Sequence, residues 1–196
     1  MTVIRIPFDD PRLPGLIDAS LDRGDMVAFP TDTIYGLGGD PWTEAVSRVR
    51  ALKERPQEQP FSLHLPSTGF IERFAQVSAI AGRWIERWLP GPYTVLLPAT
   101  AEAPSCSVAR GVVGLRVPDH PFFREILAAV GRPLFGTSAN RRGEDPLLTA
   151  DAIASAFPEV AVLIDDGGTR GSASAVVDLT GPAPIAVRGR LPKGSQ

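Results

Sequence analysis

The sequence predicts an α/β fold with a twisted, open, mixed sheet and flanking helices. Three observations carry that prediction. Apolar patterns of helical and strand period alternate over most of the 196 residues, at irregular spacing. Proline and glycine, 20 and 19 residues, punctuate the whole chain instead of gathering in one linker, so the elements are short and share one unit. Polar clusters stand at the ends of several apolar runs, as in a cleft built from loops on a rigid sheet.

Each element follows from a local pattern. Val3 to Ile6 alternates as a short strand. Leu13 to Leu21 reads as a helix stopped by Gly24. Asp25 to Phe29 is a strand feeding a loop from Pro30 to Gly39. Trp42, Ala45, Val46, Val49 and Leu52 recur at helical spacing, which predicts an amphipathic helix from Pro41 to Lys53 with its proline in the first turn. Phe61 to Leu65 alternates as a half-buried strand. Ser67 to Gln76 and Ser78 to Leu89 read as two helices, with Trp84 and Trp88 as core residues of the second. Pro90-Gly91-Pro92 breaks that helix, and Tyr93 to Leu97 is a strand. A polar loop, 98–111, leads to strand Val112 to Val117. Asp119 is the expected cap of a helix running to Val130, ended by Gly131 and Pro133. Pro133 to Phe135 is a short strand opening onto Gly136-Thr137-Ser138-Ala139-Asn140. A helix from Thr149 to Phe157, then strands Ala161 to Ile164, Ser174 to Leu179 and Pro184 to Val187, complete the pattern. One domain over 1–190 is expected, followed by a short tail, 191–196.

Bulk composition narrows the function classes. The formal net charge of −2 argues against a generally basic nucleic-acid binder and leaves a local arginine patch open. A single cysteine, Cys106, excludes an internal disulfide and a multi-cysteine metal site. No run of about 18 apolar residues is present, and the N-terminus lacks a basic-then-apolar signal pattern. A cytoplasmic enzyme or binding domain is the default expectation.

The most informative stretch is Pro30-Thr31-Asp32-Thr33-Ile34-Tyr35-Gly36-Leu37-Gly38-Gly39, with Lys53-Glu54-Arg55-Pro56 following one helix later. It places hydroxyls and glycines at a strand end and two cations at the end of the next helix. Glycines let backbone N–H groups approach a ligand. Thr31, Thr33 and Tyr35 supply donors and acceptors, and Lys53 and Arg55 supply charge for phosphate or carboxylate. A Lys-x-Arg pair at a helix end also fits a solvated terminus favoured by the helix dipole. Against that stands composition: the chain has eighteen arginines and two lysines, Lys53 and Lys193. A lysine kept at 53 in such a chain suggests that an ammonium is wanted there. Walker, Rossmann and nucleophile-elbow patterns are absent, so phosphates, if bound, are held in another way.

The ordered set Pro30 to Gly38, Lys53-x-Arg55-Pro56, Pro90-Gly-Pro-Tyr-Thr94, Leu115-Arg-Val-Pro-Asp-His-Pro121, Ser138-Ala-Asn140, Asp166-Gly-Gly168, Ser174-Ala-Val-Val-Asp178 and Arg188-Gly189 resembles the YrdC-like family, the L-threonylcarbamoyladenylate synthases. The resemblance runs from the second strand to Arg188. It implies an α/β twisted open sheet with a large concave cleft. It also implies a reaction: L-threonine, bicarbonate and ATP give threonylcarbamoyl-AMP and pyrophosphate. The product serves N6-threonylcarbamoylation of adenosine 37 in tRNA. Because the chain stops soon after the family domain, it resembles the short bacterial type, which hands its product to a separate transferase complex.

By the resemblance, Lys53 and Arg55 match phosphate-contacting cations that carry the catalysis. Gln59, Asn140 and Arg188 match nucleotide-contacting positions. Thr31 or Thr33, His64, Arg116, Ser138 and Ser174 match the threonine-contacting set, with Arg116 as partner of the carboxylate. Magnesium is expected with the triphosphate, with no dedicated protein cage. Two departures from the family pattern are Ala175, where Thr is common, and Arg142, where Ser is common; Arg142 with Arg141 adds positive charge beside the cleft. Two rival readings remain. One is a double-stranded RNA or tRNA-binding module using the same cleft without turnover. The other is a paralogue acting on another carbamoyl adenylate.

Overall fold

A computed structural model describes residues 3–169 and 171–192. Lys193 and residues 194–196 of the expected tail lie outside the described residues. The strands are β1 (Ile4–Pro7), β2 (Val27–Phe29), β3 (Gly36–Gly39), β4 (Ser62–His64), β5 (Tyr93–Pro98), β6 (Val108–Ala109), β7 (Val112–Arg116), β8 (Leu134–Ser138), β9 (Val162–Asp165), β10 (Ala175–Asp178) and β11 (Ile185–Arg188). The helices are α1 (Leu13–Asp22), α2 (Ala45–Leu52), α3 (Ile71–Phe74), α4 (Ala79–Trp88), α5 (Pro121–Val130) and α6 (Ala150–Ala156). All eleven strands form one mixed sheet in the order β1-β9-β2-β3-β8-β4-β7-β5-β10-β11, with β6 paired to β7 outside that path. Parallel pairs (β1 with β9, β2 with β9, β4 with β7, β5 with β10) are mixed with antiparallel ones such as β3 with β8.

Side-chain alternation along paired strands divides the molecule into two faces. On one face stand Leu163, Ala28, Leu37, Phe135, Leu63, Leu115, Val95 and Val177, each opposite the next by register except that Leu37 faces Thr137 and Phe135, two residues back on β8, faces Gly39. They are buried under α2 and α6 at one end and α3 and α4 at the other. On the opposite face, Ile6, Val162, Ile164, Val27, Phe29 and Leu134 are buried under α1 and α5. Farther along that face the pattern changes to small and polar residues. Gly136, Ser62, His64, Gly114, Arg116 and Thr94 stand there in place of apolar ones. Helices need a continuous apolar surface to pack on, and here Leu96, beside Gly114, is flanked by glycines and polar side chains. This stretch is the floor of the concave cleft.

Several expectations are corrected. The stretch 36–39 is a strand, not a loop, and its glycines are required by packing rather than by a ligand. A Cβ on Gly38 would stand 1.8 Å from the Phe135 carbonyl oxygen, and one on Gly39 2.7 Å from the Ala45 Cβ. Likewise the strand expected to end at Phe135 continues to Ser138, so Gly136 and Thr137 belong to β8. The helix expected from Pro41 begins at Ala45. Asp40 holds a turn before it, accepting from the Trp42 N–H at 2.9 Å, and Trp42 is exposed rather than part of the buried stripe. The segment 67–76 is helical only from Thr68 to Phe74, first as a 3-10 turn. His120, not Asp119, caps α5: its Nδ1 accepts from the Phe123 N–H at 3.2 Å.

Candidate functional site

The cleft has two halves. An inner cavity of about 320 Å³ is lined among others by Thr31, His64, Arg116, Ser138, Ser174 and Arg188. An outer cavity of about 450 Å³ is lined among others by Lys53, Glu54, Asn140 and Arg142. Arg55, Gln59, Thr137 and Ser138 line both, so they form one continuous groove.

At the inner end, Arg116 closes strand β7, and its Nη2 donates to Asp32 Oδ1 at 2.6 Å, Thr33 Oγ1 at 2.5 Å and Thr31 Oγ1 at 3.2 Å. The Asp32 and Arg116 side chains are 5% and 6% exposed. Thr31 lines the cavity. Thr33 is not among its lining residues and stands behind, against Arg116 and, at 3.0 Å, Thr31. His64 lies on β4, packed edge-on to Phe29 at 5.2 Å, and its buried Nδ1 has no hydrogen-bond partner among the described residues. A buried nitrogen without a partner at a cavity wall is a place for a ligand donor or acceptor. On the other wall, Arg188 reaches from β11 to the Ser174 carbonyl at 2.8 Å and the Ser174 hydroxyl at 3.2 Å. Ser174 Oγ in turn lies 3.0 Å from Thr94 Oγ1.

The outer half is organised by Lys53 at the C-terminus of α2. Its ammonium donates to the Ser138 carbonyl at 2.5 Å, the Asn140 carbonyl at 2.7 Å and Asn140 Oδ1 at 2.7 Å. The Asn140 side chain is fully engaged within its own loop. Oδ1 also accepts from Ser138 Oγ, and Nδ2 donates to the Arg141 and Glu144 carbonyls. Arg55 stacks over Phe61 at 4.8 Å and donates to the Gln59 and Pro60 carbonyls. Of the two arginines expected to charge the rim, only Arg142 lines the cavity. Arg141 turns away to the Ala156 carbonyl and the Phe157 ring.

Electrostatics sets the groove apart from the rest of this slightly acidic chain. Burial, then Arg55, lowers Lys53 to about 8. Burial, then Arg50 and Arg188, lowers Arg55 to about 10. Arg188 is lowered by burial. Arg116 is also lowered, by burial and by Arg188, against the raising effect of Asp32. Cations crowded in a poorly hydrated groove destabilise one another, and an anionic ligand relieves them. His64 is pushed to about 3 by burial and by Arg116, so its imidazole is neutral at physiological pH.

The structure therefore gathers all the sequence-predicted residues in or directly behind one groove. Ser62, Thr94 and Thr137 also line it and were given no site role from sequence, although Thr94 and Thr137 stand in the motifs quoted above. Ser62 had a signal: it lies two residues before His64 on one strand, so both share a face. Cys106 is buried away from the groove, its thiol pushed up by burial and directed at the Pro41 carbonyl. Among the described residues, no group of three or more His, Cys, Asp or Glu side chains is arranged to hold a metal ion. No helix among them is long and apolar enough to cross a membrane.

Fold and groove together define an α/β protein with a cationic, hydroxyl-lined groove suited to a small anionic ligand. The family model for Sua5, YciO and YrdC proteins, described as "Telomere recombination", matches residues 19–189. A threonylcarbamoyl-AMP synthase of Chromohalobacter salexigens is 38% identical over 151 residues, 75% of this chain and 81% of that protein. The P. abyssi Sua5 protein, complexed with L-threonine, superposes with a TM-score of 0.85 at 30% identity, over 95% of this chain and 56% of that one. E. coli YciO superposes with a TM-score of 0.86 at 26% identity, over 95% of this chain and 93% of that one. The chain belongs to the Sua5–YciO–YrdC family.

Proposed function

We propose that this chain is a threonylcarbamoyl-AMP synthase, with L-threonine in the inner cavity and the nucleotide phosphates in the outer one. One observation carries the reading. The groove joins a cavity of amino-acid size, walled by hydroxyls, a neutral imidazole and Arg116, to a second one lined by Lys53, Arg55 and Arg142. The same name is borne by curated relatives at 31–38% identity.

The chemistry needs little acid–base machinery. The threonine amine adds to carbon dioxide or bicarbonate to give a carbamate. A carbamate oxygen then attacks the α-phosphorus of ATP, and pyrophosphate leaves. Such a displacement is accelerated by holding the reactants in line and by neutralising charge as it shifts to the leaving group. Arg116, fixed by Asp32, pairs with the amino-acid carboxylate. His64 offers a neutral nitrogen to the substrate. Lys53 and Arg55 set the positive field at the junction of the two cavities, where the α-phosphate would lie. Lys53 also ties Ser138 and Asn140 into the wall on which the nucleotide rests, and Arg188 stands on the opposite wall. Magnesium enters with the triphosphate as its counter-ion, since Glu54 is the single carboxylate among the residues lining the two cavities. The product would pass to a transferase complex that modifies tRNA, in the cytoplasm.

Pyrophosphate release from ATP is the deciding measurement, with and without bicarbonate, comparing L-threonine with L-serine and other amino acids. Release that requires both L-threonine and bicarbonate is the expected result. Folded protein that releases none with any amino acid would instead favour the RNA-binding or carbamoyl-paralogue reading.

A further inference from the structure

We infer that Arg142 is the clamp for the terminal phosphates of the nucleotide, an assignment that rests on the synthase reading of the groove. Three cations line the outer cavity, and they differ in how many donors they have left. An ammonium has three hydrogens, and Lys53 gives all three to the Ser138 and Asn140 oxygens. Arg55 is tied at each of its nitrogens: Nε to the Gln59 carbonyl, Nη2 to the Pro60 carbonyl and Nη1 to Thr137 Oγ1 at 3.4 Å. These two cations contribute charge, but few free hydrogens. Arg142 makes one hydrogen bond among the described residues, from Nη1 to the Glu54 carbonyl at 3.1 Å. Its Nε and Nη2 remain free, and the side chain is exposed on the cavity wall.

Its tether gives the arm a direction. Glu54, between Lys53 and Arg55, sits in the left-handed backbone region with φ of 47°, a conformation non-glycine residues rarely adopt. From there its carbonyl meets Arg142 across the cavity, linking the end of α2 to the loop after β8. The loop root is held by the Asn140 side chain, and Gly143, with φ of 80°, turns the chain just past Arg142. A planar guanidinium held at one corner, with two nitrogens unbonded among the described residues, suits bidentate binding of phosphate oxygens. Arg55 lines both cavities and Lys53 is hydrogen-bonded to Ser138, which also lines both, whereas Arg142 lines only the outer one, so the phosphates nearest Arg142 are the β and γ groups, which leave together as pyrophosphate.

The test is calorimetric titration of the full chain with pyrophosphate, ATP and AMP in magnesium buffer, without threonine, comparing wild type with Arg142→Ala and Arg142→Lys. Losing a charge-assisted hydrogen-bonding partner should weaken pyrophosphate and ATP about tenfold in Arg142→Ala. AMP, which lacks the β and γ groups, should change by less than about twofold, and Arg142→Lys should fall between. Unchanged pyrophosphate and ATP affinities would overturn the assignment while leaving the synthase reading standing. So would an equal loss for AMP, which would place Arg142 on the nucleoside or in the loop's own structure. Wild-type protein that binds neither ATP nor pyrophosphate would overturn both.

Discussion

Arg116 Nη2 lies 2.6 Å from Asp32 Oδ1 with both side chains buried, while Asp32 Oδ2 and Arg116 Nε have no hydrogen-bond partner among the described residues. The pair is thus half satisfied, and its role is orientation: one carboxylate oxygen pins one guanidinium nitrogen, leaving the rest of the fork for a ligand carboxylate. Asp32→Asn keeps the shape and removes the charge that offsets Arg116. The variant should lose about 3 kcal/mol of stability, since a buried charge is left uncompensated. Its KM for L-threonine should rise about tenfold with kcat within about twofold, the pattern of weakened substrate binding. Urea unfolding and steady-state kinetics check this; an unchanged KM would mean that Asp32 does not position Arg116.

Lys53→Ala and Arg55→Ala should each reduce pyrophosphate release by a hundredfold or more, as expected when charge stabilisation of a displacement is removed (about 10²-fold or greater). They should differ in structure. Lys53 is the donor to three oxygens of the loop after β8, so its loss leaves the Ser138 and Asn140 carbonyls without that donor. Amide exchange at Leu147, which bonds to the Ala139 carbonyl, should speed up in Lys53→Ala and stay near wild type in Arg55→Ala. Wild-type turnover in either variant would remove that residue from the mechanism.

The lowered value of Lys53, about 8, gives nucleotide binding a pH dependence of defined sign. Below that pH the ammonium is charged and attracts phosphate. Above it the neutral amine does not, and a bound polyanion pulls the proton back. Affinity for ATP should therefore fall as pH rises from 7 to 9, with proton uptake on binding near pH 8. Calorimetry in buffers of different ionisation enthalpy measures that uptake directly; none would contradict a titrating Lys53 in the groove.

The alternation of helices and strands was legible because apolar period reports it locally. Lys53 was legible because two lysines among eighteen arginines is a compositional anomaly. Sequence could not show why the groove exists. That depends on which face each central strand presents, and the face follows from register among strands distant in sequence, such as Ser62 opposite Gly136. The glycines of 36–39 were misread for the same reason. Their demand comes from Phe29, Phe135 and Ala45, contacts that no local pattern records. Thr31 and Thr33 could not be told apart from sequence, because both hydroxyls meet Arg116 and only Thr31 lines the cavity.

Gly136 and Gly38 separate site from scaffold. A Cβ on Gly136 would stand 2.7 Å from His64 Cε1 and 2.9 Å from Phe29 Cζ. Gly136→Ala should displace the imidazole, raising KM for threonine about tenfold at a stability cost of about 1–3 kcal/mol. A Cβ on Gly38 meets the Phe135 carbonyl, which cannot move without breaking the β3–β8 pairing. Gly38→Ala should cost about 4 kcal/mol or more, a loss of the exceptional class. Thermal denaturation beside threonine kinetics distinguishes them; equal stability losses would argue against this division.

His64 gives the last test, on the acid side. Its folded value of about 3 lies well below the ordinary 6.5, because burial and Arg116 both disfavour the cation. In the unfolded chain the ring takes a proton as pH falls through 6.5, whereas in the native state it does not. The stability conferred by a neutral buried His64 is therefore complete above 6.5 and lost progressively as pH falls towards 3, at about 1.4 kcal/mol per pH unit once the unfolded ring is protonated. Carboxylates held low by arginine, such as Asp10 at about 2, contribute farther down. The interval from pH 6 to 5 lies above that range, and comparison with a His64 variant separates His64 from the chain's other histidine, His120. Unfolding free energies of wild type and His64→Gln across that interval should differ in slope, with the wild type steeper, and the His64 ring carbons should show no titration by NMR between pH 8 and 5. Equal slopes, or a ring that titrates near 6.5, would mean that the imidazole can be charged in the groove, and the neutral hydrogen-bonding role given to it in threonine binding would have to be abandoned.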